Sequence, residues 1–487
     1  MLRHNPSSGA GDARPRELAI IGGGPAGIAA ALAAAGAGAR VTLISEGPVG
    51  GRAGWDSLIP SKVRIVAAEA MAAAHAAEPL GLVRGDLPRI DPPAILARIG
   101  AVSASWGAQH ADALAARGVT TLYGVASFVA PGRLLVRDAA GQEVVALAAD
   151  AIIIATGSVP RFPPAMRPDR TRVIAPRFAS TLAKLPPDIV IVGGGVTGSE
   201  FASIFSLLGV QVSWVVGPKG VLPDFAPEAG QAIVAALTQR GVAIRQGQPA
   251  VRITPHESGV EVITADDVGH RAAMAFLAVG CTLDLGRLNL AATGLTPAAD
   301  GTLRADAMGR TEAIGVYVVG DAAGGPMLAN RAMAQAWVAG RHAAGAESTL
   351  PRAEAVVHAA YTIPQVAQVG AVGSADAHTV RLPLRATLKA HLSGEDEGVF
   401  LLSFDPRSQR VLGAVAVGRM PPTPSPPSPW RYSSSWRSAI WLPCSPLIRR
   451  WARWPSPLPA PPLSGMWEAK RVRTHVNQPR RGNPRLG

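Results

Sequence analysis

The first residues with an evident chemical use form a glycine-rich turn near the N-terminus. Gly22, Gly24 and Gly27 make the pattern G-x-G-x-x-G. The first glycine permits a tight bend, the second lets the backbone approach a pyrophosphate, and the third lets a helix pack close to a strand. Glu46 follows nineteen residues after Gly27, where a carboxylate would accept hydrogen bonds from ribose hydroxyls. This spacing predicts a dinucleotide site.

The residues around the turn predict the elements that hold it. Residues 18–21 are apolar and suit a buried parallel strand, and the alanine-rich run 28–37 suits a helix. The N–H groups at the start of that helix would face the phosphates. The alternative is a glycine-rich turn in an alanine-rich helical protein, which leaves the strand before the turn and the acid after it unexplained.

The same pattern occurs a second time. Residues 188–192 read as a strand, Gly193, Gly195 and Gly198 repeat the glycine spacing, and a helix and a further strand follow. Two such units in one chain predict two bound dinucleotides. Late in the sequence, residues 315–320 form another apolar strand and turn, and Asp321 places an acid at its end.

Composition limits the class of protein. The chain has 487 residues, enough for two or three domains, and is 48% hydrophobic. Its two cysteines, Cys281 and Cys444, exclude a disulfide scaffold and fit a reducing compartment. The polar N-terminus lacks an apolar signal region, and the glycine turn divides the one apolar N-terminal segment. We therefore expect a cytoplasmic protein without a membrane span.

Net charge gives no information about partners of the folded body. The formal charge is +13, but twelve Lys or Arg and only one acid fall after residue 418. The remaining 418 residues carry 35 bases and 33 acids. Because only the tail is basic, the charge of the whole chain says nothing about nucleic-acid binding by the folded body. We expect no nucleic-acid partner.

Several motifs, taken together, resemble one known family. Besides the two glycine turns with Glu46 and Glu200, they lie at 59–62 (IPSK), 155–158 (ATGS), 320–321 (GD), 326–329 (PMLA) and 361–370 (YTIPQVAQVG). In this order, from about residue 17 to residue 418, they resemble the FAD-dependent pyridine nucleotide–disulfide oxidoreductases. That family includes dihydrolipoamide dehydrogenase, glutathione reductase, mercuric reductase and soluble transhydrogenase.

The resemblance implies an α/β fold with two Rossmann-like dinucleotide-binding domains and a partial α+β interface domain. A discontinuous FAD domain would comprise residues 15–158 and 285–347, with an NAD(P)H domain inserted at 159–284. The partial dimerisation domain would occupy 348–418 and, in the family, would form a homodimer. Residues 1–14 are predicted to be disordered.

The resemblance also implies the cofactor-binding residues. FAD would be held by the first turn and by Glu46, Gly51, Lys62, Ala126, Thr156, Gly157, Asp321, Met327, Leu328 and Ala329. NAD(P)H would be held by Gly193, Gly195, Gly198, Glu200, Lys219 and Gly280. The ribose position of the second fold falls at Val216 or Gly217, where NAD-specific folds place an acid. With no acid there and Lys219 nearby, we expect NADPH, or use of both NADH and NADPH.

Lys62 and Glu200 are the predicted catalytic pair. In the family these positions form an ion pair near the flavin, where a buried ammonium stabilises the negative charge of the reduced ring. Glu200 would offset the cost of burying Lys62. The alternative is two ordinary surface charges at helix starts.

The chain departs from the disulfide-reducing members of the family at two positions. Those members carry Cys-x-x-x-x-Cys, and this chain has Ala53 and Leu58 there. Neither side chain can form a thiolate. The stretch, including Asp56, resembles a cysteine-lacking branch associated with NAD(P)H-dependent quinone reduction. Trp55 would either stack on a planar acceptor or fill the volume left by the lost disulfide.

The predicted function is FAD-dependent transfer of electrons from NAD(P)H directly to a small acceptor such as a quinone. One alternative is transhydrogenase-like exchange between NADPH and NAD. The other is a catalytically impaired flavoprotein or interaction module, because the family's C-terminal His–Glu acid/base pair has no counterpart here.

The sequence changes character after Gly418. Residues 419–487 contain fifteen prolines and six tryptophans, which break up any regular helix. Three interpretations are open: a reading-frame change, a disordered basic tail that binds nucleic acid or membrane, and an unusual fold. The first, which we favour, predicts weak dimerisation and a protease-sensitive tail.

Overall fold

The computed structural model describes residues 14–82, 86, 88–179, 181–348, 356–393 and 397–419. The predicted N-terminal disorder and the atypical tail therefore lie, except for their boundary residues, outside the described part.

The helices are α1 (Pro25–Gly36), α2 (Gly51–Trp55), α3 (Leu58–His75), α4 (Pro92–Ala115), α5 (Pro176–Ala179), α6 (Val196–Leu207), α7 (Pro227–Gln239), α8 (Ala329–Ala343) and α9 (Leu388–Ser393). The strands are β1 (Glu17–Ile21), β2 (Arg40–Ser45), β3 (Thr120–Tyr123), β4 (Val125–Ala130), β5 (Arg133–Arg137), β6 (Glu143–Ala148), β7 (Ala151–Ile154), β8 (Ser158–Pro160), β9 (Val173–Ile174), β10 (Asp188–Val192), β11 (Gln211–Val216), β12 (Ala243–Gln246), β13 (Ala250–His256), β14 (Gly259–Thr264), β15 (Gly269–Ala272), β16 (Met274–Leu277), β17 (Cys281–Leu283), β18 (Val316–Val318), β19 (Val357–Ala360), β20 (Gln365–Gly370), β21 (His378–Pro383), β22 (Val399–Phe404) and β23 (Val411–Gly418).

A parallel sheet carries the first glycine turn. Its strand order is β18-β7-β1-β2-β3, with β1 at the centre. Ile20 pairs with Leu43 on one side and Ile153 on the other, and all three are fully buried. Continuous apolar runs of this kind form strands that are covered on both faces of the sheet. Because the strands are parallel, their carboxyl ends lie at the same edge of the sheet. The predicted strand at 18–21 is confirmed.

A second parallel sheet repeats this arrangement. Its order is β12-β11-β10-β16-β9, again with the strand before the glycine turn at the centre. Ile191 pairs with Trp214 and with Phe276, and all three side chains are fully buried. The predicted repeat of the dinucleotide-binding unit is thus present as two similar sheets, and the α/β fold class is confirmed.

An antiparallel sheet forms most of the C-terminal described region, with the order β19-β20-β23-β22-β21. Buried and partly buried residues alternate along β22, as expected where one face covers a core and the other does not. Strands β22 and β23 pair with each other as an antiparallel hairpin. Smaller sheets are β4-β5-β6, β13-β14-β15 and β17-β8.

Close helix packing holds the first turn against the later part of the chain. Helix α1 lies against α8, and Gly340 of α8 meets the backbone at Ala30 so closely that an added Cβ would clash with it. The alanine-rich sequence of α1 allows this approach, because small side chains let two backbones come together.

The motif at 59–62 lies at the start of α3, which begins at Leu58 with Ser57, and not Ser61, at the N-cap position. Pro60 falls in the first turn, where a missing N–H costs little. The Ser61 hydroxyl instead donates to the carbonyl of Leu58, 3.0 Å away.

None of the described helices has the length and hydropathy required to span a bilayer.

Candidate active site

The first glycine turn is a tight backbone structure with an open centre. Gly22 has φ +118°, and an added Cβ would clash with the carbonyl of Ala155. An added Cβ at Gly27 would clash with the Gly22 carbonyl. At Gly24, by contrast, an added Cβ would meet no atom of the described chain within 4 Å. The turn therefore leaves space at its second glycine, beside the N-terminus of α1.

Glu46 lies just past β2 and is already engaged by an arginine. The two carboxylate oxygens accept hydrogen bonds from Arg287, at 2.8 and 2.7 Å. These bonds hold the pKa of Glu46 below its ordinary value of 4.5, against the opposing effect of partial burial. About half of each side chain is exposed to solvent, so the carboxylate remains accessible for ribose hydroxyls.

Residues after β7 face the same edge of the sheet. The Thr156 hydroxyl is buried and has no hydrogen-bond partner among the described residues, and Gly157 has φ +73°. Asp321 follows β18 and accepts a hydrogen bond from the Ser158 hydroxyl at 2.7 Å. Ala126 is buried on β4, in the apolar cluster that also contains Ile154 and Ala322.

The segment after Asp321 leads into helix α8. Met327 is 42% exposed, Leu328 is the N-cap residue and Ala329 starts the helix. The Asn330 side chain donates to the Val357 carbonyl at 2.9 Å, so this segment is fixed against the C-terminal sheet.

Lys62 and Glu200 form the most buried ion pair of the site. Lys62 Nζ lies 2.9 Å from each carboxylate oxygen of Glu200, whose side chain is only 5% exposed. The backbone N–H of Tyr361 donates to Glu200 at 3.0 Å, and Lys62 Nζ lies 4.3 Å from the centroid of the Tyr361 ring. The alternative of two ordinary surface charges is therefore wrong, because Glu200 is buried and Lys62 is mostly covered.

The second glycine turn repeats the geometry of the first. Gly193 has φ +116°, an added Cβ at Gly198 would clash with the Gly193 carbonyl, and Gly195 faces open space. The Trp214 indole N–H also donates to the Gly193 carbonyl at 2.9 Å. Lys219 is exposed in the turn after β11. Gly280, with φ +98°, precedes β17.

The loop at the two family cysteine positions is packed by aromatic side chains. Ala53 lies within α2 and Leu58 starts α3. Trp55 donates its indole N–H to the Val49 carbonyl at 3.0 Å, and its ring lies 3.1 Å from a Cβ built on Gly107. Of the two roles considered for Trp55, this packing favours filling volume over stacking on an acceptor. Asp56 lies 3.8 Å from the Arg177 guanidinium.

Five residues at these sites escaped the sequence analysis: Arg52, Ser158, Asp284, Arg287 and Tyr361. Arg52 follows Gly51 and Tyr361 opens the motif at 361–370, but nothing in the sequence indicated which residue either one contacts. Arg287 lies 241 positions from Glu46, so that contact has no local sequence signal. Ser158 ended the Ala-Thr-Gly-Ser motif, which was the one available signal for it.

These residues fit FAD and NAD(P)H. Each glycine turn has an open position at its second glycine, and the first turn also has a buried hydroxyl at Thr156 that lacks a partner in the described residues. Lys62 supplies a cation at the junction of the two units. An open backbone turn at a helix N-terminus is suited to a pyrophosphate, and a ligand would supply the partner that Thr156 lacks.

Comparison with known proteins agrees with this geometry. A family model described as pyridine nucleotide-disulphide oxidoreductase matches residues 16–336. A relative named NAD(P)H dehydrogenase (quinone), from Mycobacterium tuberculosis, is 32% identical over 416 residues, covering 82% of this chain and 84% of the relative. A dihydrolipoyl dehydrogenase from Halobacterium salinarum is 31% identical over 421 residues, covering 82% and 86%.

Solved structures show the same fold. LpdA from Mycobacterium tuberculosis superposes with a TM-score of 0.78 at 31% identity, covering 83% of this chain and 90% of that one. The HOCl-induced flavoprotein disulfide reductase RclA from Escherichia coli gives a TM-score of 0.71 at 24% identity, covering 83% and 90%. At that identity the second likeness indicates the fold alone.

Proposed function

The chain belongs to the pyridine nucleotide-disulphide oxidoreductase family, and from that premise we propose that it passes electrons from NAD(P)H through FAD directly to a small acceptor of the quinone class. Membership makes it an FAD-dependent oxidoreductase with NAD(P)H as co-substrate. The further proposal concerns the acceptor and the route to it.

The observation that carries the proposal is the contrast between an intact ion pair and missing thiols. Lys62 and Glu200 are in contact, whereas the two positions that would hold a redox-active disulfide are Ala53 and Leu58. Reduction of a disulfide substrate needs a thiolate beside the flavin, and neither residue supplies one. Electrons would therefore pass from the flavin to the acceptor without an intermediate dithiol.

The chain's own residues have separate tasks in this proposal. The glycine turns at Gly22 and Gly193 would hold the two pyrophosphates, Glu46 would hold a ribose, and Asp321 would bind the hydroxyl-bearing chain of FAD. Bound FAD supplies hydride acceptance from NAD(P)H and release of electrons to the acceptor. Lys62 holds a positive charge where negative charge develops, and Glu200 keeps that ammonium in place.

We propose the domain boundaries of the sequence analysis for this function: FAD binding by 15–158 and 285–347, NAD(P)H binding by 159–284, and dimerisation by 348–418. The Lys62–Glu200 pair supports this division, because Lys62 lies on α3 and Glu200 on α6 of the inserted segment. The contact of Tyr361 with Glu200 adds the third segment to the same site.

The identity of the acceptor is supported by a relative. The protein named NAD(P)H dehydrogenase (quinone) aligns over 82% of this chain. The dihydrolipoyl dehydrogenase relative would instead suggest lipoamide, but that substrate requires the thiols that Ala53 and Leu58 replace. A quinone accepts electrons without a thiol relay and therefore agrees with both the relative and the residues.

An acceptor panel tests the proposal. Purified full-length protein is supplied with NADPH or NADH and with a soluble quinone, lipoamide, glutathione disulfide or NAD. We expect turnover with the quinone and none with either disulfide. Exchange with NAD but not with the quinone would support the transhydrogenase alternative, and turnover with lipoamide would contradict the proposal. Absence of flavin reduction by either nucleotide would support the impaired flavoprotein.

A further inference from the structure

Arg52 lies directly opposite the first glycine turn. The backbone N–H of Gly50 donates to the Gly23 carbonyl at 2.9 Å, which joins the start of α2 to the turn. A Cβ built on Gly51, with φ +55°, would lie 2.8 Å from Cα of Gly24. The side chain of Arg52, the next residue, therefore starts beside Gly24, where the turn is open.

The Arg52 guanidinium points toward the end of β7 rather than to solvent. Its Nη2 donates to the Thr156 carbonyl at 2.5 Å, and its Nη1 donates to Asp284 at 2.9 Å. One third of the side chain is exposed. The guanidinium thus lies beside the carboxyl end of β7. The hydroxyl of Thr156, the residue it contacts there, has no hydrogen-bond partner among the described residues.

A chain of ion pairs connects Arg52 to Glu46 through Asp284 and Arg287. Asp284 lies 3.6 Å from Arg287, and Arg287 holds Glu46. Alternating charges thus run from the glycine turn to the residue proposed to bind ribose. A guanidinium has five N–H donors in a fixed plane, which suits the oxygens of a phosphate. Two protein contacts leave donors available for an anion.

We propose that Arg52 is a direct ligand of the FAD diphosphate, kept in place before binding by Asp284 and the Thr156 carbonyl. This inference rests on the placement of FAD at the first glycine turn in the proposed function. It adds a side-chain cation to a turn that otherwise offers backbone N–H groups, and α1 has no side-chain cap within the described structure. Asp284 then acts as a positioning residue that the diphosphate partly replaces.

The test measures FAD binding to the full-length chain, by flavin fluorescence during release and rebinding, and does not depend on turnover. We expect Arg52→Gln to weaken FAD binding about 10- to 100-fold, the range for losing a charge-assisted hydrogen bond. Arg52→Lys should recover part of the loss. Arg271→Gln, which removes an exposed arginine paired with Glu261 on another sheet, is the matched control and should leave FAD affinity unchanged.

The variant Asp284→Asn distinguishes direct binding of FAD by Arg52 from the positioning of Arg52 by Asp284. If Arg52 contacts the diphosphate, Asp284→Asn removes the positioning contact but leaves the guanidinium able to bind FAD, so FAD affinity should fall less than in Arg52→Gln. Competition by ADP should weaken in Arg52→Gln, and competition by adenosine should not. Equal losses of FAD affinity in Asp284→Asn and Arg52→Gln, or unchanged affinity in Arg52→Gln, would overturn the inference.

FAD binding by the unaltered chain separates this inference from the proposed function. Failure of the unaltered chain to bind FAD would remove the proposed function itself, whereas unchanged FAD affinity in Arg52→Gln removes only the role of Arg52.

Discussion

The two glycine turns have nearly the same backbone and differ in what surrounds them. Gly22 and Gly193 have φ values of +118° and +116°, and in each turn the third glycine contacts the carbonyl of the first. Both second glycines, Gly24 and Gly195, face open space. The shared geometry explains how each could hold a pyrophosphate, and it carries no information about which dinucleotide binds.

The difference lies at the ends of the second strands. After β2 stands Glu46, bound bidentately by Arg287, whereas β11 ends at the buried Val216 and leads to the exposed Lys219. The first turn also has Arg52 opposite it. The first site is thus charged and preformed, and the second is nearly uncharged at the ribose position. We infer that the strand ends, and not the turns, assign FAD to one site and the exchangeable nucleotide to the other.

The largest expected effect comes from closing one turn at a time. Gly27→Ala and Gly198→Ala each place a methyl group against a backbone carbonyl that cannot move far. We expect Gly27→Ala to yield protein without flavin, and Gly198→Ala to yield yellow protein whose flavin NADPH reduces at least tenfold more slowly, since overpacking of this kind costs about 1–3 kcal/mol. Flavin content and stopped-flow absorbance measure the two outcomes. Loss of flavin from Gly198→Ala would contradict the assignment of FAD to the first turn and NAD(P)H to the second.

The next effect concerns the ion pair that joins the two sites. Lys62→Met should lower the flavin midpoint potential and slow reduction by NADPH about 10- to 100-fold, because a preorganised cation near developing charge is lost. Glu200→Gln should shift the potential in the opposite direction, since it removes the countercharge. Spectroelectrochemical titration measures both. Shifts of the same sign would mean that the pair acts only by supporting the local structure.

A smaller effect is expected from Lys219→Ala. Because the side chain is exposed, its attraction for a 2′-phosphate is worth about 1 kcal/mol at most. We expect the KM for NADPH to rise about threefold to fivefold and that for NADH to stay unchanged. Steady-state kinetics at low ionic strength gives the clearest comparison. A clear preference for NADH that survives this substitution would contradict the predicted use of NADPH.

The smallest effect concerns pH and the Glu46–Arg287 pair. Because the pKa of Glu46 is lowered in the folded chain, its stabilising contribution is present above about pH 4.5 and is lost as the pH falls through the lowered value. Both side chains are half exposed, so we expect less than about 1 kcal/mol. The free energies of unfolding in urea of the flavin-free chain and of Glu46→Gln should differ at pH 7 and converge as the pH falls through the lowered pKa of Glu46. A difference that grows on acidification would contradict the assignment.

The sequence predicted the parts of the fold that depend on local pattern. Strands β1 and β10 and helix α1 follow from apolar runs and glycine spacing over a few residues.

The site was predictable only where a motif extended over it. Lys62 and Glu200 came from motif resemblance, although 138 positions separate them. Arg287 contacts Glu46, 241 positions away, and Tyr361 contacts Glu200, 161 positions away. No motif in the sequence indicates either contact. Such contacts arise from the packing of whole sheets and therefore require the structure.

An anaerobic reductive titration tests the central claim most directly, namely that electrons leave the flavin without a dithiol. With Ala53 and Leu58 at the family cysteine positions, we expect uptake of two electrons per FAD and no long-wavelength thiolate–flavin absorption. Uptake of four electrons per FAD, or appearance of that absorption band, would contradict the account.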